Sequence, residues 1–223
     1  MKALLVAAAP VAGSAELVAL LAVDSDLVIA VDGGGSVCLE AGVTPDMVLG
    51  DFDSLAPEAL AQLTHAGTRV VAFPTRKDQT DLELAFHEAR ASGATEVALT
   101  CATSGRLDHT LGALGALAVN ADLCPVLTEP DAAGWVLTPQ GRDAVRLAGP
   151  GATISLLAMS AGPAIVSAAG VEWPLDRFEL THGSGLGLSN IVVGEAGALI
   201  TVHEGVLLVL APRLDGLEAA ARL

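Results

Sequence analysis

The chain has no tyrosine, and its aromatic residues amount to four phenylalanines and two tryptophans in 223 residues. A protein that binds single-stranded nucleic acid stacks successive bases on aromatic side chains, and this composition offers no such platform. Positive charge is also scarce: 11 Lys and Arg stand against 26 Asp and Glu, a net charge of −15. Phosphate backbones and anionic lipid surfaces are held by Lys and Arg, so neither nucleic acid nor a membrane surface is expected as a partner. The three cysteines, Cys38, Cys101 and Cys124, have no paired spacing. That speaks against a disulfide framework or a zinc site and for reduced, mostly buried thiols. No apolar run reaches the roughly 18 residues a transmembrane helix needs. Neither a Gly-x4-Gly-Lys-Ser/Thr phosphate loop nor a Gly-x-Ser-x-Gly nucleophile turn occurs.

What is present is a core-forming chain, 52% apolar, of a length that fits one or two domains. It is organised around residues 31–55. The apolar run Leu27 to Val31 predicts a buried strand, closed by Asp32 and followed by Gly33, Gly34 and Gly35. A short helix over Ser36 to Ala41 and a strand at Met47 to Leu49 then lead to Gly50-Asp51-Phe52-Asp53-Ser54. Asp51 and Asp53 are two residues apart and on extended backbone would point to one side. Carboxylates so placed repel unless a cation lies between them, and Mg²⁺ takes carboxylate, phosphate and water oxygens. A lone Asp-x-Asp is ordinarily a pair of solvated loop residues; here further strand ends repeat the chemistry.

The first 15 residues have the outline of a short signal peptide. The α/β rhythm that follows favours instead a first strand, Ala3 to Ala8, and a helix over Ala15 to Ala22 capped by Ser14. Ser54 is the expected N-cap of the next helix, with Pro57 and Glu58 in its first turn. A strand over Arg69 to Phe73 delivers Arg76, Lys77, Asp78, Thr80 and Asp81 to the start of a helix over Leu82 to Ser92. Capping explains one of those carboxylates; two, beside two bases, suit a metal–phosphate site. The strand Glu96 to Cys101 runs into Arg106, Asp108, His109 and Thr110 ahead of a helix over Leu111 to Asn120. Arg106 can fork onto phosphate oxygens, and a helix start favours anions. His109 is given no chemical role. In open α/β sheets ligands bind outside the carboxyl ends of strands, and four such ends here carry Asp32, Asp51/Asp53, Asp78/Asp81 and Arg106/Asp108.

From Val126 the texture changes to short strands punctuated by Gly and Pro, the spacing of a sandwich or barrel. Expected strands are Gly134–Leu137, Ala144–Leu147, Thr153–Leu157, Ala164–Val166, Ala198–Val202 and Val206–Leu210, the last two joined by a hairpin at Glu204-Gly205, with a final helix over Leu214 to Arg222. The boundary is placed near Glu129-Pro130, so that residues 1–129 form an open α/β sheet domain and residues 130–223 a smaller all-β sandwich.

Six segments, in order, resemble the signatures of the thiamine pyrophosphokinase family. They are residues 31–55, Lys77 to Phe86, Gly105 to Gly112, Gly170 to Leu175, Gly187 to Asn190, and Gly205 to Val209. Two departures stand out: Gly35-Ser36 where the family usually has Ala-Asn, and, around the third signature, Thr103-Ser104 where glycines usually precede it and Ala113 where an Asn is usual. The resemblance implies an α/β catalytic domain, a β-sandwich that binds thiamine, and a cytoplasmic homodimer with active sites in clefts between subunits. It implies transfer of pyrophosphate from ATP to the thiamine hydroxyl, with AMP as the other product. It implies Mg²⁺ at Asp32, Asp51, Asp53, Asp78 and Asp81, with Asp51, Asp53 and Asp81 catalytic. ATP contacts would come from Gly33, Gly34, Lys77, Arg106, Asp108 and Thr110, and thiamine contacts from Trp173, Ser189 and Asn190. Which carboxylate acts as general base stays open, and a core tryptophan is the plain alternative for Trp173. Two other readings also stay open: a pyrophosphokinase of another heterocyclic alcohol, such as a hydroxymethyl-pterin, and a non-catalytic nucleotide or Mg²⁺-binding module.

Overall fold

Short apolar runs joined by helical segments build the first part of the chain: β1 (Lys2–Val6), α1 (Ser14–Val23), β2 (Leu27–Val31), α2 (Gly34–Glu40), β3 (Met47–Gly50), α3 (Pro57–His65), β4 (Arg69–Ala72), α4 (Asp81–Ala91), β5 (Glu96–Thr100) and α5 (Leu107–Val119). The computed structural model describes residues 1–212 apart from Lys77 and Ala148. The expected helix over 214–222 and the phosphate contact assigned to Lys77 lie outside the described residues. Two compact units divide the chain: Met1–Ala116 with Thr128–Pro130, and Leu117–Leu127 with the residues from Asp131 onward.

In the first unit the strands run in the order β5-β1-β2-β3-β4, every pair parallel. Residues 3–6, 28–31, 47–49 and 97–99 are buried, as strands covered on both faces must be. From β1 to β4 the chain steps outward one strand at a time. Right-handed crossovers therefore put α1, α2 and α3 on one face, where α1 touches α2 and α2 touches α3. The return to β5, beyond β1, takes the opposite face, and α4 accordingly lies against β1, β2 and β3. The direction of winding reverses between β1 and β5, and the strand ends there open onto the crevice where such sheets place ligands.

Several local expectations are corrected. Ser14 does not cap α1 with its side chain; Gly13 holds the cap position, and the buried Ser14 hydroxyl accepts the Val11 N–H at 2.9 Å. Ala56, not Ser54, precedes α3, without a side-chain cap. Helix α2 starts two residues earlier than expected, at Gly34. A Cβ on Gly34 would lie 2.0 Å from the Val6 carbonyl oxygen, so only glycine lets α2 begin directly against β1. Helix α5 starts a turn earlier, which places Asp108, His109 and Thr110 inside its first turn.

After β6 (Val126–Thr128) come β7 (Ala132–Leu137), β8 (Ala144–Leu147), β9 (Thr153–Ala158), β10 (Ala164–Ala169), β11 (Leu175–Leu180), β12 (Asn190–Ile191), β13 (Ala198–Glu204) and β14 (Leu207–Pro212). They make two antiparallel layers, β12-β9-β14-β7 and β11-β10-β13-β8. Leu137, Ile154, Leu156 and Val209 from one layer share a core with Val145, Leu147, Val166, Ile200 and Val202 from the other, which is a β-sandwich. The expected hairpin at Glu204-Gly205 does not form. β13 pairs with β8 and β10, whereas β14 pairs with β7 and β9. Gly205, at φ 80°, carries the chain from one layer to the other. Among the described residues no helix is long and apolar enough to cross a membrane.

Candidate active site

β2 and β3 are neighbours, so the residues that follow them meet: the Asp32 N–H donates to the Leu49 carbonyl at 2.8 Å. Asp32 adopts φ 49°, Phe52 φ 61° and Cys101 φ 57°. Three non-glycine residues just past the ends of β2, β3 and β5 are thus left-handed, a conformation costing about 1–3 kcal/mol each and typical of functional sites. The turn at Phe52 corrects the expectation of extended backbone between Asp51 and Asp53. The Phe52 ring packs on the core cluster of the first unit, and the Asp53 N–H donates to Asp51 Oδ1 at 3.3 Å. Asp32, Asp51 and Asp53 each bring one carboxylate oxygen within 4.8 Å of the others. Like charges so close repel one another, the more so where a carboxylate is shielded from water.

The orientation of Asp32 is set by Ser54. The Ser54 hydroxyl donates to Asp32 Oδ2, and its oxygen accepts the Gly33 N–H at 3.1 Å. Asp32 Oδ1 is buried with no hydrogen-bond partner among the described residues. Burial raises the Asp32 pKa; the Ser54 bond opposes the rise, and Asp53, Asp51 and Asp81 add to it. Asp81 is thereby placed in the field of the cluster. Asp78 is exposed, ahead of α4, and is not one of the three clustered carboxylates. Three hard oxygen donors, one orphaned in the protein, match what a divalent cation such as Mg²⁺ requires.

At the start of α4, Thr80 rather than Asp78 is the cap. Its hydroxyl accepts the Glu83 N–H at 3.2 Å while the Glu83 carboxylate accepts the Thr80 N–H at 2.7 Å, a reciprocal capping box. Arg106 and Asp108, both exposed, form a two-point pair: Nη2 to Oδ2 at 2.6 Å and Nε to Oδ1 at 3.2 Å. The pairing lowers the Asp108 pKa and raises that of Arg106. Thr110 donates from its N–H, at 3.1 Å, and from its hydroxyl, at 3.4 Å, to the Arg106 carbonyl. Two residues that sequence reasoning passed over shape this end of the sheet. Ser54, expected from the sequence as a helix cap, holds Asp32 instead. Glu129, a lone acid after an apolar run, carries no local signal; its buried carboxylate accepts the Ala102 N–H at 2.7 Å and the Cys101 N–H at 3.1 Å.

In the second unit Trp173 lies in the turn between β10 and β11 and is 55% exposed; the core tryptophan is Trp135. Asn190 is buried and spent on backbone. Its Oδ1 accepts the N–H groups of Trp173 at 3.2 Å and Ile191 at 2.9 Å, and its Nδ2 donates to the Trp173 carbonyl at 2.8 Å. Asn190 therefore fixes the main chain that carries the indole. Ser189 is exposed and left-handed at φ 60°, and its N–H donates to the Ser155 hydroxyl at 3.2 Å.

Comparison with known proteins identifies the family. Residues 18–126 match the family described as thiamin pyrophosphokinase, catalytic domain, and residues 143–207 match thiamin pyrophosphokinase, vitamin B1 binding domain. The thiamine pyrophosphokinase of Bacillus subtilis is 27% identical over 183 residues, 82% of this chain and 85% of that protein. A crystal structure of thiamine pyrophosphokinase from Bacillus subtilis superposes with a TM-score of 0.78 at 25% identity, covering 96% of this chain and all (100%) of the other. One from Geobacillus thermodenitrificans gives 0.77 at 29% identity, covering 98% of this chain and 100% of the other. Matched in both units, the chain belongs to the thiamine pyrophosphokinase family.

Proposed function

We propose that the protein transfers the β,γ-pyrophosphoryl group of ATP to the primary hydroxyl of thiamine, giving thiamine diphosphate and AMP. The observation that carries this reading is the convergence of Asp32, Asp51 and Asp53, with Asp32 Oδ1 buried and unpartnered among the described residues. Transfer of this kind asks a protein mainly for positioning and charge stabilisation. Asp32, Asp51 and Asp53 would hold Mg²⁺, with Asp78 and Asp81 as outer carboxylates. Bound there, the ion neutralises charge on the pyrophosphoryl oxygens. Asp81, whose charge acts on Asp32, is the carboxylate assigned to orient the attacking hydroxyl. Arg106 offers its fork to phosphate by exchanging Asp108 for the ligand, and Thr110 ties the first turn of α5 to the Arg106 carbonyl. Lys77 supplies a second cation. Gly33 and Gly34 let the backbone pass closely beside the phosphates.

Trp173 is assigned to the thiamine rings, on the strength of its exposure and its anchored backbone. A cationic thiazolium over an indole gains roughly 0.5–2 kcal/mol. Ser189 adds a directional hydrogen bond, and Asn190 acts by holding Trp173. The family resemblance further supports a cytoplasmic homodimer. The test is acceptor choice: purified protein with ATP and Mg²⁺ is offered thiamine or a hydroxymethyl-pterin. AMP formation with thiamine alone is the expected result; AMP formation with the pterin alone sinks the reading.

A further inference from the structure

Glu129 is the most deeply buried carboxylate near the strand ends, 2% exposed, and the reaction outlined above makes no use of it. Its two oxygens are spent on one short segment. Oε1 accepts the Ala102 N–H at 2.7 Å and Oε2 the Cys101 N–H at 3.1 Å. Thr103, next along the chain, also helps to lower the Glu129 pKa. These residues form the start of the β5–α5 loop, where Cys101 turns the chain left-handed at φ 57°. A strand that ends in such a turn leaves successive N–H groups without ladder partners, and unpaired buried N–H groups cost about 1–3 kcal/mol each. Glu129 collects them. The same loop is held from its other side: Ser104 Oγ donates to the Ala9 carbonyl at 2.5 Å, and the Ala9 N–H donates to the Cys101 carbonyl at 2.8 Å. Two residues beyond Ser104 stands Arg106. Its own side chain is exposed and, among the described residues, pairs with Asp108, so its placement depends on the backbone beneath it.

We infer that Glu129 is a positioning residue: by clamping the N–H groups of Cys101 and Ala102 it sets where Arg106 meets the triphosphate. This rests on the assignment of Arg106 to ATP made above. Burial raises the Glu129 pKa, and the N–H donors of Ala102 and Cys101 oppose the rise. An acceptor-only carboxylate is what converging donors require, whereas a carboxamide turns an NH₂ group toward one of them.

The test compares wild type with Glu129→Gln, Arg106→Ala and the double variant. ATP affinity is measured by calorimetry with Mg²⁺, alongside both KM values, kcat, and amide exchange at Cys101 and Ala102. The expected result is an ATP dissociation constant and KM raised about tenfold in Glu129→Gln. Thiamine KM and kcat should stay within about twofold, the two amides should exchange faster, and the double variant should be no worse than Arg106→Ala, since groups acting through one another are not additive. Unchanged ATP affinity, additive losses, or a parallel fall of every parameter overturns the inference. If Glu129→Gln does not accumulate as folded protein, Glu129→Asp, which keeps the charge but draws the carboxylate back from the two amides, is put through the same comparison and judged by the same outcomes. Wild type that binds ATP but turns over no thiamine counts against the proposed reaction and leaves the binding comparison to decide the role of Glu129.

Discussion

The Asp32 carboxyl is half-buried, faces Asp51 and Asp53, and has its pKa raised chiefly by burial. A raised acid pKa means that the stability contributed by this group is complete below its unfolded pKa and is lost as pH rises through the folded one. Metal-free protein should therefore be less stable at pH 7 than an Asp32→Asn variant, which keeps an acceptor for Ser54 and carries no charge. Thermal melting checks this: the variant is expected to melt higher without Mg²⁺ and to gain less from added Mg²⁺ than wild type does. A variant that melts lower in EDTA and responds fully to Mg²⁺ would show that the carboxylate is not strained toward a cation. Asp51→Asn and Asp53→Asn, at a loop beyond β3, are each expected to lower kcat by about 100-fold or more, on the scale of losing a group aimed at developing charge. As partly exposed loop residues they should change stability by under about 0.5 kcal/mol. Near-normal turnover by both at saturating Mg²⁺ refutes the metal role. Trp173→Ala should raise the thiamine KM about tenfold, equivalent to about 1.4 kcal/mol, with little change in melting because the ring is 55% exposed. Asn190→Ala should raise the same KM and also destabilise, since it strips buried hydrogen bonds from the Trp173 backbone. A normal thiamine KM in both variants places the pocket elsewhere.

At the scale of elements, the loops carry the chemistry and the helix starts hold them. Thr80→Ala removes the capping box of α4 and should cost about 1 kcal/mol in denaturant titration; no measurable loss would mean the cap does not order that helix start. The parallel strands were legible because residues 27–31 and 47–49 are continuous apolar runs ended by Asp or Gly. β11 was not legible. Leu-Asp-Arg-Phe-Glu-Leu is exposed along most of its length, so no alternation marks it, and Gly170 and Pro174 ahead of it read as loop. The hairpin expected at Glu204-Gly205 failed for a related reason. A glycine turn between two apolar strands signals a change of direction, but the choice of partner strand is made by tertiary packing. The Asp cluster was legible as a set of residue types at strand ends. Its geometry was not, because left-handed backbone at Asp32 and Phe52 leaves no trace in spacing. Glu129 was read only as a place near a domain boundary, since its partners lie 27 and 28 residues away in sequence.

For the molecule as a whole, a net charge of −15 is an unpromising background for a triphosphate, so the proposed binding is a local one, through a cation on carboxylates and a few placed bases. Activity should accordingly vanish on chelation and return with Mg²⁺ without refolding. The proposed homodimer is checked by light scattering at assay concentration, where a fully active monomer would refute it. The central claim is pyrophosphoryl, not phosphoryl, transfer to thiamine, and ³¹P NMR of a single reaction mixture tests it. Purified protein with ATP, Mg²⁺ and thiamine should convert the three ATP resonances into those of AMP and thiamine diphosphate in equal amounts, with no conversion in EDTA or by Asp51→Asn. Appearance of ADP with thiamine monophosphate, or an ATP spectrum unchanged by thiamine, would contradict it.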